Sequence, residues 1–66
     1  MKTLTIKIEL ENAVFENSLD AENEVARILK LCANHIDIQG LTYKKLYDIN
    51  GNKIGSLSTN FYNKNK

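Results

Sequence analysis

The sequence predicts a small α+β domain in which a strand is followed by a helix and then by a β-hairpin. Residues 3–10 alternate polar and apolar side chains, residues 21–36 repeat apolar side chains at a helical period, and Asn50-Gly51 separates two strand-like runs. The compact arrangement of these elements is a split β-α-β unit. We therefore expect one domain over residues 1–58, with a three-stranded antiparallel sheet of order 1-3-2, one helix on one face of the sheet, and a polar tail over residues 59–66.

The first strand is predicted over residues 3–10 because the alternation there is strict. One side of this strand would be buried, and it carries Leu4, Ile6, Ile8 and Leu10. The connection over residues 12–19 contains apolar side chains, and we expect Phe15 to cover one end of the core.

The helix is predicted to begin near Ala21 and to end between Ile36 and Gln39, since Gly40 is a typical helix stop. Three residues before it could cap its amino end: Asn17, Ser18 and Asp20. The apolar stripe contains Ala21, Val25, Ile28, Leu29, Cys32 and Ile36. We expect Leu31 to be partly exposed, and the opposite face, which includes Arg27, to meet water.

The hairpin is predicted to join strands within residues 41–49 and 53–58. A type I turn from Asp48 to Gly51, with Gly51 in the left-handed conformation, would place Leu46 opposite Ile54 and Tyr43 opposite Leu57. A two-residue turn at Asn50-Gly51 would instead pair Tyr47 with Ile54, and the sequence leaves both open.

One face of the predicted sheet has no covering element and carries aromatic and basic side chains. We expect it to be the site at which the protein binds a partner, through Lys7, Tyr43, Lys45, Tyr47, Lys53 and Leu57. The favoured partner is another protein. The alternative is nucleic acid, bound by Tyr43, Lys45 and Tyr47 with Lys64 and Lys66 from the tail, because aromatic rings stack on bases and lysines neutralise phosphates.

Composition narrows the function class. The chain has 66 residues and a net charge of +1, so no strong field draws it to nucleic acid or to a membrane surface. No run approaches the roughly 20 apolar residues of a membrane-spanning helix, and we expect a cytoplasmic protein without a membrane partner. A chain this short buries little surface and has a single cysteine, so self-association as a homodimer is a further expectation.

Residues with catalytic or metal-binding potential are few. Cys32 and His35 are three residues apart on the predicted helix, but Cys32 lies in the apolar stripe, where a thiol is unreactive. A structural zinc site needs four such ligands, and the acidic residues between Glu9 and Glu24 are typical of a helix start. We therefore expect a protein that is not an enzyme and needs no metal or cofactor.

Several stretches resemble small uncharacterised proteins encoded by phages and prophages. These stretches are residues 6–8, 12–16, 24–29 and 48–55. The resemblance implies that the partner is a host protein or ribonucleoprotein complex, on which the protein acts stoichiometrically, as inhibitors of CRISPR and other defence systems do. It assigns no functional residue.

Overall fold

The computed structural model describes residues 1–61. The elements are β1 (Leu4–Ile8), a short 3-10 helix (Ala13–Phe15), α1 (Ser18–Gln39), β2 (Lys44–Tyr47) and β3 (Lys53–Thr59). The three strands form an antiparallel sheet in the order β1-β3-β2, so the last strand in sequence is the central one. The α+β fold class and the strand order predicted from the sequence are confirmed.

The core lies between α1 and one face of the sheet. Its buried apolar residues are Phe15, Ile28, Cys32, Leu46, Ile54 and Leu57. Ile6, Ile8, Val14, Ala21, Val25 and Ile36 pack against them and are partly buried. Phe15 therefore belongs to the core, as the apolar character of its connection predicted.

The helix begins three residues earlier than predicted because Asn17 caps it. The Asn17 side-chain oxygen accepts hydrogen bonds from the backbone N–H groups of Leu19 at 2.9 Å and Asp20 at 3.2 Å. These bonds satisfy amides that have no partner within the helix. At the other end the Gly40 N–H donates to the Ile36 carbonyl at 2.9 Å, and Gly40 has φ +83°, a conformation that terminates the helix.

Three leucines that were predicted to be buried are exposed. Leu4 and Leu29 are each 43% exposed and Leu10 is 53% exposed, although all three follow the apolar periods of their segments. β1 ends at Ile8, so Leu10 lies beyond the strand, and Leu29 lies at the margin of the buried stripe. Leu31 is exposed, which agrees with its position outside the stripe.

The β1–β3 pair is a regular antiparallel ladder. Five residue pairs run from Leu4 opposite Thr59 to Ile8 opposite Gly55. The pairing continues past the strand ends, since the Glu9 N–H donates to the Ile54 carbonyl and the Asn60 N–H donates to the Thr3 carbonyl. The Asn60 side chain also connects the end of β3 to the residues before β1, because its oxygen accepts from the Thr3 N–H and its amide group donates to the Met1 carbonyl.

The predicted hairpin turn forms between Asp48 and Gly51. The Gly51 N–H donates to the Asp48 carbonyl at 3.0 Å, and Gly51 has φ +87°, which a residue with a β-carbon rarely adopts. The alternative two-residue turn does not form, since Tyr47 lies opposite Lys53 rather than opposite Ile54.

The strand register beyond this turn differs from the prediction by one residue. Leu46 lies opposite Gly55 instead of Ile54, because Ile54 is an extra residue in β3 and forms a β-bulge. Gly55 permits the local geometry: a β-carbon there would lie 1.8 Å from the Lys7 carbonyl oxygen. Only glycine leaves room for this close approach of two backbones.

The predicted tail begins inside the sheet. β3 includes Thr59, the Asn60 side chain is hydrogen-bonded, and the Lys2 ammonium lies 5.5 Å from the centre of the Phe61 ring. The remainder of the predicted tail, with Lys64 and Lys66, lies outside the described residues.

Candidate functional site

The sheet face that points away from α1, called the outer face here, brings together most of the residues predicted to bind a partner. Lys7 in β1 and Lys45 in β2 lie on either side of Ser56 in β3, because both are its register partners. Since side chains directly opposite one another share a face, the three form one row across the sheet. The row has a small residue at its centre and an exposed lysine at each end.

Two tyrosines extend the outer face along β2. Tyr43 and Tyr47 are each 47% exposed. Alternation within β2 puts Tyr47 on the same side as Lys45, and continuing it by one residue before the strand puts Tyr43 there too. Tyr47 lies opposite Lys53, which is also exposed. Five of the six predicted binding residues therefore share this face.

Leu57 is the exception, and its predicted exposure is wrong. It is fully buried and lies opposite Ile6, on the side of the sheet that packs against α1. The bulge at Ile54 explains the error, because one extra residue transfers every later side chain of β3 to the other face. The same shift brings Ser56 and Ser58 to the outer face, where sequence reasoning had not placed them.

The outward residues of the three strands carry positive charge and hydroxyl groups. Lys7, Lys45 and Lys53 supply three ammonium groups, and Thr5, Ser56, Ser58, Tyr43 and Tyr47 supply hydroxyls. None of the outward residues within β1, β2 and β3 is acidic. The face therefore suits a partner that presents carboxylates or phosphates together with surfaces on which a ring can pack.

A buried polar network lies at the turn end of the sheet, and sequence reasoning missed it. Glu24 in α1 is only 6% exposed. Its two carboxylate oxygens accept hydrogen bonds from the Arg27 guanidinium, from Nε at 2.9 Å and from Nη2 at 2.6 Å, which makes a bidentate ion pair. The same carboxylate accepts the backbone N–H of Ile49 in the hairpin turn at 2.8 Å. The hydrogen bond from Arg27 holds the pKa of Glu24 below its usual value, against the opposing effect of burial.

The Asp48 side chain accepts hydrogen bonds from backbone amides of its own turn. Burial raises its pKa, but hydrogen bonds from Asn52, Asn12 and Asn50 outweigh this effect, and the net pKa is lowered. One carboxylate oxygen accepts the N–H groups of Asn50 and Asn52, both at 2.9 Å, and the other accepts the Asn12 side-chain amide at 2.9 Å. Asp48 thus links the turn to the connection between β1 and α1.

This network supports structure rather than chemistry. Both carboxylates are surrounded by donors, and among the described residues no buried side-chain nitrogen or oxygen lacks a partner. A carboxylate that receives several hydrogen bonds is a weak base. The role we assign to Glu24 and Asp48 is to fix the turn to the helix, which positions Tyr47 and Lys53 at the adjoining ends of β2 and β3.

The Cys32 and His35 pair does not form a nucleophilic centre. Cys32 is 1% exposed, and burial raises the pKa of its thiol, which favours the unreactive protonated form. The His35 Nε2 atom lies 3.2 Å from the Thr42 carbonyl oxygen and 3.0 Å from the Thr42 hydroxyl, so its polar contacts are with the loop before β2. Residues 1–61 contain no cluster of three side chains that could hold a metal ion.

Comparisons with family models, curated proteins and solved structures find no match to this chain. Among the described residues, α1 is too polar to cross a bilayer, and no other helix is long enough to do so.

Proposed function

We propose that this protein is a non-enzymatic interaction protein that binds a host protein or complex through the outer face. The observation that carries the proposal is the pair of half-exposed tyrosines beside Lys45 and Lys53 on a sheet face that no helix of residues 1–61 covers. Aromatic side chains are enriched at the centres of protein interfaces, where they bury large areas at small entropic cost.

The charge of the outer face defines the complementary surface. Its lysines favour an acidic partner surface, and the row of Lys7, Ser56 and Lys45 leaves a shallow centre into which a partner side chain can project. The resemblance to small phage proteins extends the proposal to stoichiometric inhibition of a host target, such as a CRISPR or other defence effector, in the host cytoplasm.

The proposal is tested by capture of partners from a host lysate with the double variant Tyr43→Ala/Tyr47→Ala. We expect recovery of the specific partner to fall by at least about tenfold, since hot-spot tyrosines often contribute 2 kcal/mol or more. The matched control is Leu31→Ala/Ile38→Ala, which removes two exposed apolar side chains from α1. Equal recovery by the tyrosine variant and the wild type would exclude the outer face as the binding site.

Nucleic acid is the second candidate partner, because three lysines on one face accompany two rings that can stack on bases. Phosphate-led binding weakens steeply with salt, and each lysine removed reduces the salt slope by about one. We would measure anisotropy of labelled single-stranded and duplex probes with the wild type, Lys45→Ala and the control Lys30→Ala. Absence of binding to every probe at low salt contradicts this candidate and leaves the protein partner.

A further inference from the structure

Among residues 1–61, β1 pairs only with β3, and its other edge is open. In the β1–β3 ladder the residues that bond β3 are Thr3, Thr5, Lys7 and Glu9, as the terminal bonds of Glu9 and Thr3 show. Strand geometry therefore turns the N–H and C=O groups of Leu4, Ile6 and Ile8 toward the open edge. Exposed edges of this kind are templates for pairing with another strand.

The segment that follows β1 does not lie along this edge. Asn12 bonds Asp48 at the hairpin turn, and Phe15 enters the core, so the connection passes across the turn end of the sheet. An apolar groove is formed by Leu10, which lies two residues beyond the end of β1, and by Ala21, Val25, Ala26 and Leu29 of α1, with Glu22 as its acidic member. At the other end of β1, Leu4 is 43% exposed.

We propose that this surface is where a second copy of the chain binds, with two β1 strands pairing antiparallel about a two-fold axis at Ile6. Only this register uses all three open residues, because it places Leu4 opposite the partner's Ile8 and Ile6 opposite its own copy. Three pairs of this kind form about six backbone hydrogen bonds. The result is a six-stranded sheet of order β2-β3-β1-β1-β3-β2 with both helices on one face.

The charges flanking β1 select the antiparallel arrangement. Lys2 precedes the strand, and Glu9 and Glu11 follow it. Antiparallel pairing brings the basic end of one strand beside the acidic end of the other at both ends of the interface, whereas parallel pairing would bring like charges together. On the outer face Thr5 lies opposite Lys7 of the second copy, so the two lysines are not directly opposed.

The area required for a stable dimer explains why the groove belongs to the interface. A specific interface needs about 600 Å² or more from each partner, which is roughly one eighth of the 4870 Å² surface of this chain. A five-residue strand edge, about 17 Å long, is too small to provide it. Closure of the groove against the second helix adds the apolar area that edge pairing lacks.

The experiment combines mass measurement with hydrogen exchange on the wild-type chain. Sedimentation equilibrium from micromolar to millimolar concentration should show the mass rising from 7.5 kDa toward twice that value. Over the same range the Leu4, Ile6 and Ile8 amides should become protected, whereas the Lys45 and Tyr47 amides at the other edge should not. A monomer at every concentration, or protection at β2 instead of β1, overturns the proposal.

Variants locate the interface. Leu4→Lys/Leu10→Lys, at two exposed positions, should raise the dimer dissociation constant by at least about tenfold, and Leu31→Lys/Ile38→Lys should leave it unchanged. Lys2→Glu should weaken the dimer, and adding Glu9→Lys/Glu11→Lys should restore it. Far-ultraviolet circular dichroism verifies that each variant is folded. Failure of this restoration, or a dimer that persists in folded Leu4→Lys/Leu10→Lys, contradicts antiparallel β1 pairing.

Discussion

The two strand pairs of this sheet are held in different ways. The β1–β3 pair is an unbroken ladder in which the backbones supply the bonds, and Gly55 allows their close approach. The β2–β3 pair contains a bulge at Ile54, and two buried carboxylates bind backbone amides of its turn. At the turn of the β2–β3 pair, side-chain carboxylates accept from backbone amides that have no partner in the ladder, and unpaired backbone amides are costly.

Gly55→Ala should have the largest effect on stability, since it disrupts the regular β1–β3 pair. A β-carbon 1.8 Å from the Lys7 carbonyl oxygen and 2.8 Å from the Lys7 carbonyl carbon cannot be accommodated without moving backbone. We expect the free energy of unfolding to fall by at least about 3 kcal/mol, measured by urea denaturation. Gly40→Ala is the control, because space at Gly40 is open and only its left-handed φ opposes the substitution. Equal losses for both variants would contradict the close approach.

Glu24→Ala should have the next largest effect on stability, since it removes a carboxylate that stabilises the irregular β2–β3 pair. It leaves the Ile49 amide and Arg27 without their shared acceptor. We expect a loss of about 1–3 kcal/mol, seen as a melting temperature lower by about 4–8 °C per kcal/mol. Glu22→Ala on the exposed part of the same helix is the control and should change little. If Glu24→Ala lowers only the helix content and leaves the amide chemical shifts of the hairpin unchanged, Glu24 does not stabilise the turn.

Gly51→Ala tests the turn alone. The residue has φ +87° with open space around it, so the penalty is conformational, about 1–2 kcal/mol. Amide chemical shifts should change across the hairpin and remain unaltered in β1. Asn50→Ala, whose exposed side chain forms no hydrogen bond among the described residues, should be nearly neutral. Chemical-shift changes that extend to β1 would show that the β1–β3 and β2–β3 pairs are not independent.

Acid should weaken the irregular pair with the smallest effect of the four. The pKa values of Glu24 and Asp48 are lowered by folding, so the stability they provide is present above the unfolded value of about 4 and lost as pH falls through the folded value. Thermal melts between neutral pH and pH 3 should show a smaller acid-induced loss in Glu24→Gln than in the wild type. Glu22→Gln should lose as much stability in acid as the wild type. An equally small acid-induced loss in both variants would show that Glu24 is not its specific cause.

The sequence predicted those features that depend on local conformational preference. Asn17 was among three predicted caps, Gly51 marked the left-handed turn position, and alternation identified β1, although the structure shortens it at both ends. The apolar period of α1 found Ile28 and Cys32, the two side chains that are most deeply buried in it.

The features that the sequence did not predict depend on contacts between distant segments. The bulge at Ile54 arises where Gly55 meets Lys7, which is far away in sequence, and it reverses the exposure expected for Leu57. Glu24 is buried because its partners converge on it from its own helix and from the hairpin turn. Apolar periodicity carries no signal for a buried carboxylate. The helical spacing of Glu24 and Arg27 was the available clue, since side chains three apart can pair.

The central position of β3 has a consequence for how the chain acquires its structure. Every strand pairing in the sheet includes β3, so β1 has no internal partner until residues 53–59 have been synthesised. The helix can form early, but closure of the β1–β3 ladder joins segments some fifty residues apart and must overcome the entropy of that long loop. A ribosome-bound intermediate that ends before Lys53 would therefore contain a helix and no sheet, with the apolar side of β1 exposed to chaperones and to other nascent chains.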